Sequence, residues 1–212
     1  MIKFENTEVF NFEGAIRGMR NPMNSWDKSD SEYTLDWTPK PDTGIIFNIG
    51  DNDLALMKKL IKAGPDHRKF MRQILVSVDI TAPLYWWKEM DQYRVAVVSN
   101  SCSTMHKLTS KPFEMSDFSH DKLVDECKPL LQAFICGLNE CRNIYIEDKN
   151  KDFWYSIIQL LPSSYNQKRT VTLNYETILN IRGSRRNHKL DEWRIGFMEW
   201  IDSLPYAEEL LK

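Results

Sequence analysis

The sequence predicts a mixed α/β fold, because runs of alternating apolar and polar residues are interleaved with runs of helical periodicity along its 212 residues. An apolar content of 42% is enough to build a core. That length suits one domain, so residues 1–212 are expected to form a single domain with a loose segment at 14–41.

In chain order, Glu8–Phe12 alternates and predicts a strand. Gly14–Pro41 carries Asn-Pro, Ser-Asp-Ser and Pro-Lys-Pro punctuation and predicts a loose segment, in which Arg17 and Arg20 raise the possibility of a lid. Asp51-Asn52-Asp53 offers an N-cap for a helix over Leu54–Ala63, whose Leu54, Met57, Leu60 and Ile61 share a face; Gly64-Pro65 stops it. Ile74–Ile80 is rich in β-branched residues and predicts a half-buried strand. Pro83 fits the first turn of a helix over Leu84–Tyr93. Val95–Val98 is a short apolar run, predicting a buried strand before the polar stretch Ser99–Thr104. Helical periodicity returns over Asp121–Leu138 and Phe153–Leu161. Pro162-Ser163-Ser164 predicts a turn and Arg169–Leu173 a strand. Two helices close the chain, Tyr175–Arg182 and Asn187–Ser203, with a break at Gly183-Ser184.

With 28 Lys and Arg against 30 Asp and Glu, the net charge of −2 lacks the global positive balance of a duplex-DNA binder. No apolar run reaches membrane-spanning length, and the first residues carry no basic leader followed by an apolar stretch, so neither a membrane partner nor secretion is expected. Cys102, Cys127, Cys136 and Cys141 form no C-x-x-C pair and have no His at ligand spacing; free thiols in a cytoplasmic protein, and no metal, are expected. The four His form no ligand pair. Only eight Gly are present and no Gly-rich phosphate loop occurs, so any phosphate must be held by side chains and helix starts.

Three clusters could do that. Arg182, Arg185, Arg186, Lys189 and Arg194 face only Asp191 and Glu192 nearby, and a helix break among them would place free N–H groups beside guanidinium forks that suit phosphate. A solvated face of ordinary ion pairs is the competing reading. Arg94, Asn100, Ser101, Ser103 and His106 form the second cluster, either a ligand-facing loop of short donors and acceptors or a turn bonding its own backbone. His67–Arg72 is the third, with solvated charges as its simpler explanation. In Trp86-Trp87, one ring is expected to pack in the core while the other either packs or stacks on a planar ligand.

These clusters, in this order, resemble the flavin-dependent thymidylate synthase family over roughly Leu54 to Lys212. The best-defined part is L-P-S-S-Y-N-Q-K-R-T-V-T-L-N-Y followed by I-L-N-I-R-G-S-R-R-N-H-K-L-D-E-W. It is similar to the family's strand, Asn-bearing helix start, paired arginines and Trp-bearing last helix. Asn174 falls on the family's Asn, Arg185 on its substrate-activating Arg, and Glu176 where an Arg is usual. The signature R-H-R-x-x-S-x-N-E-x-S-x-R-Y falls on Asp91–His106, keeping Arg94, Asn100 and Ser103. Gln92-Tyr93 stand in place of the flavin-contacting Arg-His pair, Ser101 in place of the Glu, and Met105-His106 in place of the final Arg-Tyr. The S-P-F-E-H-like segment becomes His67–Arg72. Stretches such as N-P-M-N-S-W also resemble small phage and prophage proteins.

The resemblance implies a twisted sheet flanked by helices, a homotetramer, and sites between subunits for FAD and dUMP. It implies nucleotide contacts from Arg94, Asn100, Ser101, Ser103, His106, Asn174, Arg182, Arg185 and Arg186, with Arg185 the catalytic electrostatic partner. It implies cofactor contacts from Arg72, Gln92 and Tyr93. Losing two charged contacts to a diphosphate, each worth ~1.5–3 kcal/mol, counts against FAD. The expected function is therefore nucleotide binding without standard thymidylate synthase activity. An active flavin-dependent synthase methylating dUMP and a non-catalytic partner-binding protein remain as alternatives.

Overall fold

A computed structural model of the protein describes residues 2–35 and 45–212. Strands alternate with helices along the chain, as the sequence predicts: β1 (Lys3–Phe10), α1 (Phe12–Arg20), β2 (Glu32–Leu35), β3 (Ile45–Asn48), α2 (Asp51–Lys62), β4 (Leu75–Pro83), α3 (Leu84–Met90), β5 (Val98–Ser101), α4 (Lys128–Asp148), α5 (Lys151–Leu160), β6 (Asn166–Asn174), α6 (Tyr175–Arg185), α7 (Met198–Asp202) and α8 (Ala207–Leu210). One sheet has the strand order β1-β4-β6-β5, and β2 pairs antiparallel with β3. Along β4, Val76, Val78, Ile80 and Ala82 are buried, the period of two that β-branched residues there predict.

The chain divides into two compact units, cut within several of the strands. The first comprises Met1–Asn6, Val78–Arg94 and Ser99–Val171. Its apolar cluster is Leu108, Phe113, Phe118, Ile135, Leu138 and Ile157. Trp86 and Trp87 are both buried, their rings edge to face at 4.9 Å, so neither is left to stack on a ligand. The helix expected over Asp121–Leu138 starts later, at Lys128, with Pro129 in its first turn, and continues to Asp148. The helix expected to reach Tyr93 ends at Met90.

The second unit comprises Thr7–Ser77, Val95–Val98 and Thr172–Lys212. Much of the segment expected to be loose is ordered. Phe12, Ala15, Ile16 and Met19 recur at helical spacing and bury one face of α1, so Phe12 opens a helix instead of closing a strand. Two 3₁₀ turns, Asn21–Met23 and Trp26–Lys28, then lead to β2. Residues 36–41 of that expectation, including Pro-Lys-Pro, lie outside the described residues. Val95 is 84% exposed and Val98 66%, against the expected buried strand: Ala96 takes the left-handed conformation (φ 57°), which breaks an extended run. No described helix is long and apolar enough to cross a membrane.

Candidate functional site

The start of α6 brings together residues that the sequence analysis treated separately. Asn174 is extended and buried, and its Oδ1 accepts from the Thr177 backbone N–H at 2.9 Å, which caps the helix. Glu176 sits in the first turn, where the helix dipole favours a carboxylate. Arg68 Nε donates to Glu176 Oε1 at 3.2 Å, Arg72 Nε donates to Oε2, and Arg68 also donates to Asn180 Oδ1 at 3.1 Å. Burial pushes the Glu176 carboxyl up, but the hydrogen bonds and charges of Arg72 and Arg68 outweigh it and hold the group below its ordinary value. Two cations of the His67–Arg72 cluster are thereby taken up by a carboxylate that stands where the family usually has an arginine.

The carboxyl-terminal arginines differ from expectation in their helix. α6 runs through Gly183-Ser184 to Arg185, with the Ser184 hydroxyl donating to the Asn180 carbonyl one turn back. The break falls instead after Arg185, and the next helical stretch opens at Asp191-Glu192, whose side chains are acidic. The bare helix start expected among the arginines is therefore not formed at Gly183-Ser184. Arg182 pairs with Asp202 and Arg194 with Asp191, each at 2.6 Å. The Arg185 guanidinium lies 4.9 Å over the Trp193 ring. Trp193 and Phe197 are fully buried in a π-helical stretch, Glu192–Phe197. Arg186 and Lys189 are exposed.

The mid-chain cluster belongs to the first unit. Arg94 Nε donates to the Asp91 carbonyl at 3.4 Å, and Asn100 and Ser101 are exposed on β5. Ser103 Oγ accepts from the backbone N–H groups of Met105 and His106 at 3.1 and 2.9 Å, a self-bonded turn. His106 is exposed. Gln92 Nε2 donates to the Lys88 carbonyl at 3.3 Å, and Tyr93 is half-buried. Arg169 was missed by the sequence reading: it pairs with Asp91 at 2.8 Å and its guanidinium lies 4.2 Å over Trp87. Its place in an alternating strand gave no sign of either partner. Asp79 of β4 accepts from Thr170 at 2.6 Å and Asn6 at 3.0 Å and pairs with Lys168, and these bonds lower its carboxyl to about 2. Among the described residues no group of three His, Cys, Asp or Glu could hold a metal ion.

No family model matches this chain, and no curated protein does. Solved structures do. Thymidylate synthase X from Helicobacter pylori, solved with FAD and dUMP, superposes with a TM-score of 0.70 at 15% identity, covering 100% of this chain and 96% of that one. A second structure from the same organism, the flavin-dependent thymidylate synthase complexed with FAD and dUMP, gives 0.69 at 16% identity, covering 100% and 97%. The chain thus has the fold of the flavin-dependent thymidylate synthases.

Proposed function

We propose that this protein binds a pyrimidine nucleotide on a thymidylate synthase X-like fold and does not carry out the flavin-dependent methylation. The solved structures of this fold hold dUMP, which supports a nucleotide as ligand. The proposed contacts are Arg94, Asn100, Ser101, Ser103, His106, Asn174, Arg182, Arg185 and Arg186, contributed by different protomers of a homotetramer. Asn100, Ser101 and Arg186 present exposed donors, and Arg185 is held in place against Trp193. Asn174 acts through the cap that positions α6.

The observation that carries the absence of a flavin step is Glu176. A flavin diphosphate needs cations to offset its charge. Of the proposed cofactor contacts, Arg72 donates to Glu176, Gln92 donates to the Lys88 carbonyl of the preceding helix, and Tyr93 is not a cation. The Glu176 carboxylate offsets one of the two positive charges that Arg68 and Arg72 bring, so less is left for a diphosphate. The residues present do not fit FAD.

Thermal melting with dUMP tests the reading. At a hundredfold excess over Kd, a ligand of the native state adds about 2.7 kcal/mol, or roughly 5–10 °C in Tm for a chain of this size. Arg186→Ala and Arg185→Ala should each remove most of that shift. An unchanged shift in both variants would refute the assigned contacts, and a purified protein that is yellow with bound flavin would favour the active synthase.

A further inference from the structure

The amino-terminal segment of the second unit contains a cleft that the nucleotide reading does not use. Helix α1 presents Glu13 and Arg17 one turn apart, both exposed, while Ile16 between them is buried at its base. Trp26, Tyr33 and Phe47 supply aromatic walls, and the cavity they enclose with Glu13, Ile16 and Arg17 has a volume of about 280 Å³. Trp26 is 50% exposed and Tyr33 57%, a large aromatic surface to leave uncovered in a concavity. Tyr33 lies opposite Phe47 across the β2–β3 pair, their rings 5.0 Å apart at 61°.

The walls are rigidly built. Arg20, 4% exposed, donates to Asp53 at 2.6 Å and to the Ser25 and Lys28 carbonyls, which fixes the loop carrying Trp26. Trp26 Nε1 donates to Asn21 Oδ1 at 2.8 Å. Asp53 Oδ2 accepts from the Ser29 and Ser31 hydroxyls and from the Asp30 and Ser31 backbone N–H groups, which fixes the entry to β2. A Cβ at Gly50 would collide with Asp30, so the chain before α2 is locked against this loop. The Tyr33 hydroxyl donates to Glu13 Oε2 at 2.7 Å, which holds the ring and raises its phenol. Preorganised aromatic walls lower the ordering cost of a planar ligand.

The polar groups set the ligand's chemistry. Arg17 makes no ion pair with any described residue and offers a guanidinium fork suited to a phosphate. Glu13 keeps Oε1 as an acceptor for an N–H edge. Aromatic surfaces that size accept a stacked heterocycle. We infer that this cleft is a binding site for a purine nucleoside monophosphate, stacked on Trp26 and Tyr33, with its N–H edge on Glu13 and its phosphate on Arg17. A guanine base, with donors along one edge, is the matched probe. Arg17 as the one unpaired cation among the described lining residues, together with the small volume, favours a monophosphate over longer phosphate chains.

Isothermal titration of the full-length protein with GMP tests this. Saturable one-site binding is expected, weakened on the order of tenfold to a hundredfold by Arg17→Ala and by Glu13→Gln, the loss expected for one charged hydrogen bond. Arg17→Ala should leave the weaker binding of phosphate-free guanosine unchanged, which a merely structural role for Arg17 would not do. Saturating dUMP should not alter the GMP affinity; competition would place GMP at the other proposed site and overturn the inference without touching the dUMP reading. Absence of GMP binding, equal binding by both variants, or binding of choline in its place would overturn it too, the last by making the cleft a cage for quaternary ammonium.

Discussion

Two arginine–carboxylate centres in the second unit use the same chemistry to opposite ends. At Asp53, both partners are buried: the carboxylate is 0% exposed, Arg20 is 4% exposed, Oδ1 accepts from Arg20, and Oδ2 accepts from the Ser29–Ser31 loop that it organises. At Glu176 the carboxylate is nearly buried, but Arg72 is half in solvent and Arg68 divides its donors between Glu176 and Asn180. The first centre is a closed structural joint, since a buried charge tolerates nothing less than full pairing. The second is open on one side and engages Arg72, which the resemblance gives as a cofactor contact. Charge in the sequence is common to both; only burial distinguishes a joint from a neutralised site.

The contrast can be broken most severely at Asp53. Asp53→Ala leaves the Arg20 guanidinium buried without its partner and should cost about 3–5 kcal/mol in urea unfolding. A loss below about 1 kcal/mol would mean that the joint is not closed. Glu176→Ala should cost less, about 1–3 kcal/mol, because water reaches Arg72. If the order of the two reverses, the comparison fails.

Acid sharpens it. The Asp53 and Glu176 carboxyls are both lowered in the folded protein, against the upward push of burial. Groups lowered by folding contribute stability that is complete above the unfolded values near 3.8 and 4.5 and is lost as pH falls through the folded ones. Melting temperature should hold steady down to about pH 5 and fall below it. In the first unit Asp79, lowered to about 2 by Thr170, Asn6 and Lys168, should extend that fall toward pH 2, and Asp79→Asn should remove its share. The smallest effect is expected at Arg194→Ala, where an exposed pair with Asp191 contributes at most about 1 kcal/mol; a larger loss would show that this arginine is not a surface ion pair.

Periodicity made β4, β6, α2 and α5 legible, because each buries one face whose spacing is local. Long-range chemistry was not legible. Arg20 and Asp53 lie 33 residues apart and Arg68 and Glu176 108 apart, and nothing in the intervening chain announces either pair. Gly183-Ser184 were read as a break because both residues disfavour helices, by up to about 1 kcal/mol for Gly. Buried Ile178 and Ile181 and the Asn174 cap hold α6 together across them. The turns within the described part of Gly14–Pro41 were not legible, because they are fixed by Asp53, outside the segment. Of the candidate site, the resemblance singled out Asn174 and Glu176 as expectations, and the partners of Glu176 needed the fold.

Equilibrium dialysis of the purified protein against FAD is the most direct check on the role given to Glu176. With Arg68 and Arg72 held by that carboxylate, no saturable uptake of FAD is predicted while dUMP still binds. Stoichiometric retention of FAD by the unmodified protein would contradict the account.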